Sequence, residues 1–346
     1  MALLRRDRVL PYLRQVGVLP PGVPAKIERL SGGVSSAVFR VECGTKAVVV
    51  KQALPKLRVN DQWLSRVERS ATEARAAAVL YRLLPQGSVL PPLHVDQVRS
   101  LFVMPSAQSG AETWKAKLMR GELSSETART VGDLLGIMHR RSRDEPALQQ
   151  EFADRQDFMA LRVDPYLYVT ASRRPSLAAA IGRHTERMLS VRDCLVHGDY
   201  SPKNLLVSRD RPDKVILLDH EVTHWGDPSF DCAFCLTHLH LKACTFPALT
   251  HEFLRLAEEF WSSYLGAARP PDPTSRERDC VGLLGCILAA RVDGKSPAEY
   301  LTTEILRERV RALASTILRD ELTTVTAVAE ATMSIVRTAP AKALTT

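Results

Sequence analysis

The chain has 346 residues, 45% hydrophobic and 25% charged, an ordinary globular composition with room for two modest lobes. No run approaches the roughly twenty apolar residues needed to cross a bilayer. The net charge of +8 comes from scattered Lys and Arg without interleaved aromatics, which argues against a nucleic-acid partner and for anionic ligands such as nucleotides.

The opening MALLRRDRVLPYLRQVGVL reads as an amphipathic helix, not a signal peptide, because no apolar core precedes a small-residue cleavage site. Lys26–Leu30, Val38–Glu42 and Ala47–Lys51 then read as three antiparallel strands, joined by the turn formers Ser31-Gly32-Gly33 and Cys43-Gly44-Thr45. Asp61–Leu84 reads as helical, most clearly from Glu68, and Pro91–Leu93 and Leu101–Met104 as two further strands. Beyond Pro105 the pattern turns helical. Ser124–Arg141 puts Val131, Leu134, Leu135 and Met138 on one face. Ser176–Val191, Phe230–Ala243, Pro247–Leu265, Arg276–Arg291 and Pro297–Thr324 follow, with Gly266–Ser275 as a Pro-rich linker and an Ala/Thr-rich tail after Thr324. The expected fold class is α+β: a small β-rich lobe over residues 1–105 and a larger, mainly helical lobe over 106–346.

Between the helices lies LVHGDYSPKNLLVSRDRPDKVILLDHEVTHWGDPSFD, Leu195 to Asp231. It holds an H-x-D-x-x-x-x-N set, His197, Asp199 and Asn204. Two apolar runs follow, Leu205–Val207 and Val215–Leu218, and read as a hairpin that carries Asp219-His220-Glu221 back beside Asn204. Phosphoryl transfer needs one carboxylate to position a hydroxyl and others to hold magnesium on the phosphates. Asp199 takes the first role. Asn204, Asp219 and Glu221 supply hard oxygen ligands for Mg²⁺. His197 is expected to brace the loop, and Asp231 to anchor its backbone.

Two other patterns carry less. Gly294-Lys295-Ser296 is no P-loop, because Ala289 stands where the first glycine is required and Pro297 follows at once. Cys232 and Cys235, with His238 and His240, have a zinc-like spacing, but the segment reads as one helix and no second ligand pair is evident. The seven cysteines are irregularly spaced among apolar residues, as expected of reduced thiols in a cytoplasmic protein.

A β-rich lobe with a strand-borne lysine, a short connector and a helical lobe with an acidic hairpin resembles the protein-kinase-like small-molecule phosphotransferases, the aminoglycoside phosphotransferase and choline kinase superfamily. Within it, VVVKQALPKLRVNDQWLSRVERSATEA is most similar to the methylthioribose kinases. The resemblance implies ATP and Mg²⁺ as cofactors. Gly32, Gly33, Ser35 and Ser36 would cover the phosphates, and Lys51 would reach them. Glu73, preferred over Glu68, would hold Lys51, and the backbone at Met104–Ser106 would meet the adenine. Methylthioribose kinases share the D-x-E but carry serine where this chain has Asn204. Cys286–Arg291 aligns with a helix ending in two substrate-contacting arginines, of which only Arg291 remains, beside Ala290. Its guanidinium is expected to leave the core and face the cleft.

The expected activity is transfer of the γ-phosphate to a hydroxyl of a small sugar-like acceptor, methylthioribose-like in the first instance, with no nucleic-acid or membrane partner. An antibiotic phosphotransferase is the alternative within the class, and a non-catalytic nucleotide-binding regulator the alternative outside it. A protein kinase is disfavoured by the missing A-P-E motif and the short stretch between Asp219 and Asp231. A homodimer stays open.

Overall fold

The computed structural model describes residues 3–30, 35–55, 66–108 and 110–338. Near the N-terminus, alternating apolar residues pair into an antiparallel sheet of order β1-β2-β3-β5-β4. Its strands are β1 (Ala25–Leu30), β2 (Ser36–Cys43), β3 (Lys46–Ala53), β4 (His94–Asp96) and β5 (Leu101–Pro105). Gly44, at φ +59°, makes the tight turn between β2 and β3. Phe39, Val41, Val48, Val50, Leu101 and Val103 pack with Val9, Tyr12 and Leu13 of the helix Arg6–Gln15 into a small core. The fourth strand begins at His94, after the expected Pro91–Leu93, because Pro91 and Pro92 have no N–H to give a ladder.

The helix Arg69–Leu83 crosses from this lobe to the next. Its Ala76, Ala77, Leu80 and Leu83 join the large core of the C-terminal lobe, and Val89 pairs with Leu217 there. Long helices build that lobe: Ser125–Arg143, Pro175–Ser190, Ser229–Thr245, Thr250–Ala268, Pro273–Asp293, Glu304–Arg319 and Val325–Thr338. Ser125–Arg143 and Thr250–Ala268 pack so closely that a Cβ on Gly136 would lie 2.7 Å from the Ala267 Cβ and the Tyr264 carbonyl oxygen.

Several element ends differ from expectation for visible reasons. Pro247–Leu249 forms a separate tight turn before the helix at Thr250. The linker shrinks to four residues. Arg269 closes one helix in the left-handed region, and Asp272 caps the next by accepting the Ser275 N–H at 2.9 Å. Thr303 caps the following helix, so that helix starts at Glu304 instead of Pro297. The Ala/Thr-rich tail is a helix to Thr338, with Val325, Val328, Ala329, Thr332 and Val336 buried at helical spacing. Met159–Tyr168 is a wide, π-type helical segment.

Ion pairs seam the lobes together. Lys51 bonds Asp219, Arg69 reaches Glu221 at 3.0 Å, and Arg66 reaches Asp154 and Asp157 at 2.9 and 3.2 Å. No helix among the described residues is long and apolar enough to cross a membrane.

Candidate active site

The loop that bears Asp199 hangs between the short strands Cys194–Val196 and Leu205–Val207. Asp231, in the first turn of Ser229–Thr245, accepts the backbone N–H groups of His197 and Gly198 at 2.7 and 2.8 Å. Its anchoring role is as expected. Gly198 has φ +76°, and a Cβ there would lie 2.9 Å from the Val222 side chain, so the turn needs glycine. His197 is the expected brace: Nδ1 accepts the Asp199 N–H at 3.2 Å, and Nε2 donates to the Leu218 carbonyl at 3.1 Å. These bonds fix a neutral imidazole, and burial lowers its pKa further.

Asp199 is 2% exposed. Its carboxylate accepts from Arg162 at 2.8 Å, Lys203 at 2.9 Å and the Asn204 amide nitrogen at 2.8 Å. Burial alone would push the acid up, but Arg162 and then Lys203 outweigh it and hold it below the usual carboxylate range. A fixed, ionised carboxylate can orient a hydroxyl and take its proton late in transfer.

The hairpin forms as the apolar runs suggest, with Leu205 opposite Leu217. The Leu218 N–H bonds the Asn204 carbonyl at 2.9 Å, which sets Asp219 beside Asn204. Asp219 sits at φ +67°, a region aspartate tolerates better than most residues. Lys51 meets it from β3 and holds Glu73 at 2.7 Å, whereas Glu68 is exposed at the helix start. Oxygens of Glu73, Asp219 and Glu221 all lie within 4.8 Å of one another. Burial lowers the Lys51 pKa, but Asp219 and Glu73 more than reverse it, so Lys51 stays charged. One lysine and Arg69 face three acids, and burial pushes Glu73 up toward its neutral form. A hard divalent cation fits this oxygen set. Asn204 commits its amide nitrogen to Asp199, which leaves its side-chain oxygen for a ligand.

Gly32 and Gly33 lie outside the described residues. Ser35 and Ser36 are buried, and the Ser35 carbonyl accepts the Leu54 N–H at 2.9 Å and the Arg69 guanidinium. Met104 lies in β5 opposite Val49. The Ser106 N–H is spent on the Ala47 carbonyl at 2.8 Å, because pairing with β3 runs past the end of β5. Within the Met104–Ser106 backbone expected to meet the adenine, that N–H is therefore not free, whereas the Ser106 carbonyl stays available. A correction concerns Arg291, which is 8% exposed and turned inward. The helix continues to Asp293, and Ser296 folds back on it. The guanidinium therefore donates to the Ser296 carbonyl and hydroxyl and, at 3.2 Å, to the Tyr166 hydroxyl. Asp293 is taken by Arg311 at 2.9 Å.

A family model described as a phosphotransferase enzyme family matches residues 26–269. The chain belongs to that family. The methylthioribose kinase of Pectobacterium atrosepticum is 26% identical to this phosphotransferase over 274 residues, 70% of the chain and 67% of the relative. That of Yersinia pestis (strain Pestoides F) is 25% identical over 269 residues, 69% and 64% respectively. The chain thus spans about two thirds of the length of these curated relatives. Plasmodium vivax ethanolamine kinase shares the fold, with a TM-score of 0.58 at 12% identity over 92% of this chain and 91% of that one.

Sequence reasoning missed four side chains of this phosphotransferase. Lys203, four residues after Asp199, was visible in the motif. Arg69 was visible as a cation one residue past Glu68. Arg162 and Tyr166 sit on the Met159–Tyr168 segment, whose wide turns leave no ordinary helical period to read. Cys232 and Cys235 are free and buried, and His240 bonds Thr332 at 3.0 Å; among the described residues the acids Glu73, Asp219 and Glu221, not these side chains, converge as metal ligands could.

Proposed function

We propose that this phosphotransferase is an ATP- and Mg²⁺-dependent kinase of a small, sugar-like alcohol. The observation that carries the reading is the meeting of Asp199, fixed and ionised, with the Lys51–Glu73–Asp219–Glu221 cluster across one short hairpin. In this reading Asp199 aligns the acceptor hydroxyl for in-line attack and accepts its proton as the bond forms. Lys51 neutralises charge on the phosphates. Ser35 and Ser36, with Gly32 and Gly33, cover those phosphates, and Met104 with Ser106 lines the base. Asn204, Asp219 and Glu221 would hold magnesium, which supplies charge neutralisation on the transferring group. The names of the curated relatives support a methylthioribose-like pentose as acceptor, and the free buried thiols support a cytoplasmic setting.

An ADP-release screen with Mg–ATP against pentoses, sugar acids, amino alcohols and aminoglycosides tests the reading. Turnover with at least one sugar-like acceptor, absent in Asp199→Asn, is expected. Turnover that is indifferent to Asp199, or no Mg–ATP binding at all, would overturn it.

A further inference from the structure

Three nitrogens close on Asp199, and their nearest approach falls on one oxygen. The Arg162 guanidinium, the Lys203 ammonium and the Asn204 amide lie 2.8, 2.9 and 2.8 Å from Oδ2. Among the described residues no hydrogen bond ends on Oδ1. A carboxylate oxygen offers about two lone-pair sites. One of the three donors on Oδ2 is therefore surplus, and it can leave while the other two still hold the carboxylate.

Two of the donors are pinned. Arg162, its side chain 10% exposed, also gives Nε to the Gly198 carbonyl at 2.9 Å and a terminal nitrogen to the Leu161 carbonyl at 2.7 Å. The Asn204 amide also bonds the Asp199 carbonyl at 2.9 Å. Lys203 differs. It stands on the short turn Pro202–Asn204, its side chain is 48% exposed, and among the described residues Asp199 is its one ion-pair partner. Partial burial and Arg162 work against its charge, but Asp199 and then Asp219 outweigh them, so it stays an ammonium. A lysine carries that charge on a flexible four-carbon stem.

Transfer brings a phosphoryl group to this lysine. An acceptor hydroxyl bonded to Oδ1 sits about 3 Å from it, and its oxygen must approach phosphorus to about 3–3.5 Å. The transferring group then lies on the order of 6 Å from the carboxylate that holds Lys203, within the swing of the lysine stem. It arrives from the side of Asp219, the second acid whose charge Lys203 feels.

We infer that Lys203 is a further catalytic residue: its ammonium leaves Asp199 Oδ2 for the non-bridging oxygens of the phosphoryl in transfer, while Oδ1 takes the proton of the acceptor hydroxyl. The inference rests on the kinase reading of Asp199. The hydroxyl oxygen bonds the γ-phosphorus as the bond from phosphorus to the bridging oxygen breaks, and that electron pair departs with ADP. Lys203 keeps its protons throughout. Its hydrogen bonds are strongest where charge gathers on the phosphoryl oxygens, so they favour the transition state over bound nucleotide. Arg162 and Asn204 keep Asp199 in place meanwhile.

Steady-state kinetics of Lys203→Met and Lys203→Arg in the full chain test this, with Mg–ATP and whichever sugar of the ADP-release screen turns over fastest. Lys203→Met should lower kcat by about ten- to a hundredfold, and the loss should persist across the pH range in which the wild type is active. Mg–ADP affinity and melting temperature should change little, because the side chain is half exposed. Lys203→Arg should regain part of the rate. A loss that disappears at alkaline pH would reduce Lys203 to a group that keeps Asp199 ionised, and would overturn the inference. A large drop in melting temperature with no gain from Lys203→Arg would do the same. Turnover lost in Asp199→Asn but kept in Lys203→Met sinks this inference alone. A wild type that turns over no acceptor removes the kinase reading and this inference with it.

Discussion

Asp199 is held from three sides, by Arg162, Lys203 and the Asn204 amide, so its removal should be felt in chemistry before binding. Asp199→Asn keeps the size of the side chain and loses its charge. Turnover should fall by about two orders of magnitude or more, with nucleotide affinity little changed. Steady-state kinetics beside nucleotide titration check this, and near wild-type turnover would take Asp199 out of the mechanism. Lys242 gives a second test at this scale. Burial, with Lys115 and Arg291 adding to it and Glu299 opposing, pushes its ammonium down to about 7. The unfolded chain then holds a proton between about pH 7 and 10 that the folded chain does not. Stability should therefore rise with pH across that window, by a few kcal/mol at most. The cost is present in full below about pH 7. Denaturant titrations over this range should show the rise in the wild type and a flatter profile in Lys242→Met, which should also be more stable at neutral pH.

Among the elements, the helix pair Ser125–Arg143 and Thr250–Ala268 depends on missing atoms. Gly136→Ala would gain helix propensity, yet its methyl would strike the Ala267 Cβ and the Ala268 nitrogen, each 2.7 Å away. A net loss of about 1–3 kcal/mol is expected. Gly182, on the helix Pro175–Ser190, has nothing within 4 Å of such a methyl, so Gly182→Ala should stabilise by roughly 0.5–1 kcal/mol. Chemical denaturation of both variants should show opposite signs, and equal signs would contradict the packing account. These elements also show what the sequence could reveal. Local patterns marked the strands, the hairpin and most helices, because alternation and apolar spacing report directly on one buried face. The motif carried Asp199, Asn204, Asp219 and Glu221, because they lie close along the chain. Arg162 reaches Asp199 by long-range folding, and no local period says which way it or the inward-turned Arg291 points. The tail helix Val325–Thr338 hid behind alanines and threonines, weak signals until a neighbour buries them.

Across the whole molecule, the two lobes have separate apolar cores; the helix Arg69–Leu83 packs into the larger one, and charges face each other across the cleft. Lys51 belongs to the small lobe and Asp219 to the large one, so a nucleotide with its metal should tie them together. Saturating Mg–ADP at a hundred times its dissociation constant should add about 2.7 kcal/mol of stability. Thermal unfolding should lose most of that gain in EDTA or in Lys51→Met. A gain unchanged in EDTA would argue against the metal set. The seam has one more consequence, which concerns ionic strength. Its outer pair joins Arg66, whose side chain is 39% exposed, to Asp154 at 55%, whereas the inner Arg69 and Glu221 are 0% and 7% exposed. Salt screens exposed charges over about 10 Å at 0.1 M and about 3 Å at 1 M, and buried pairs far less. Arg66 also holds the nearly buried Asp157 at 3.2 Å, so the cleft has an outer latch that dissolved ions loosen in part and an inner one that they do not. Saline conditions would widen the mouth without parting the lobes.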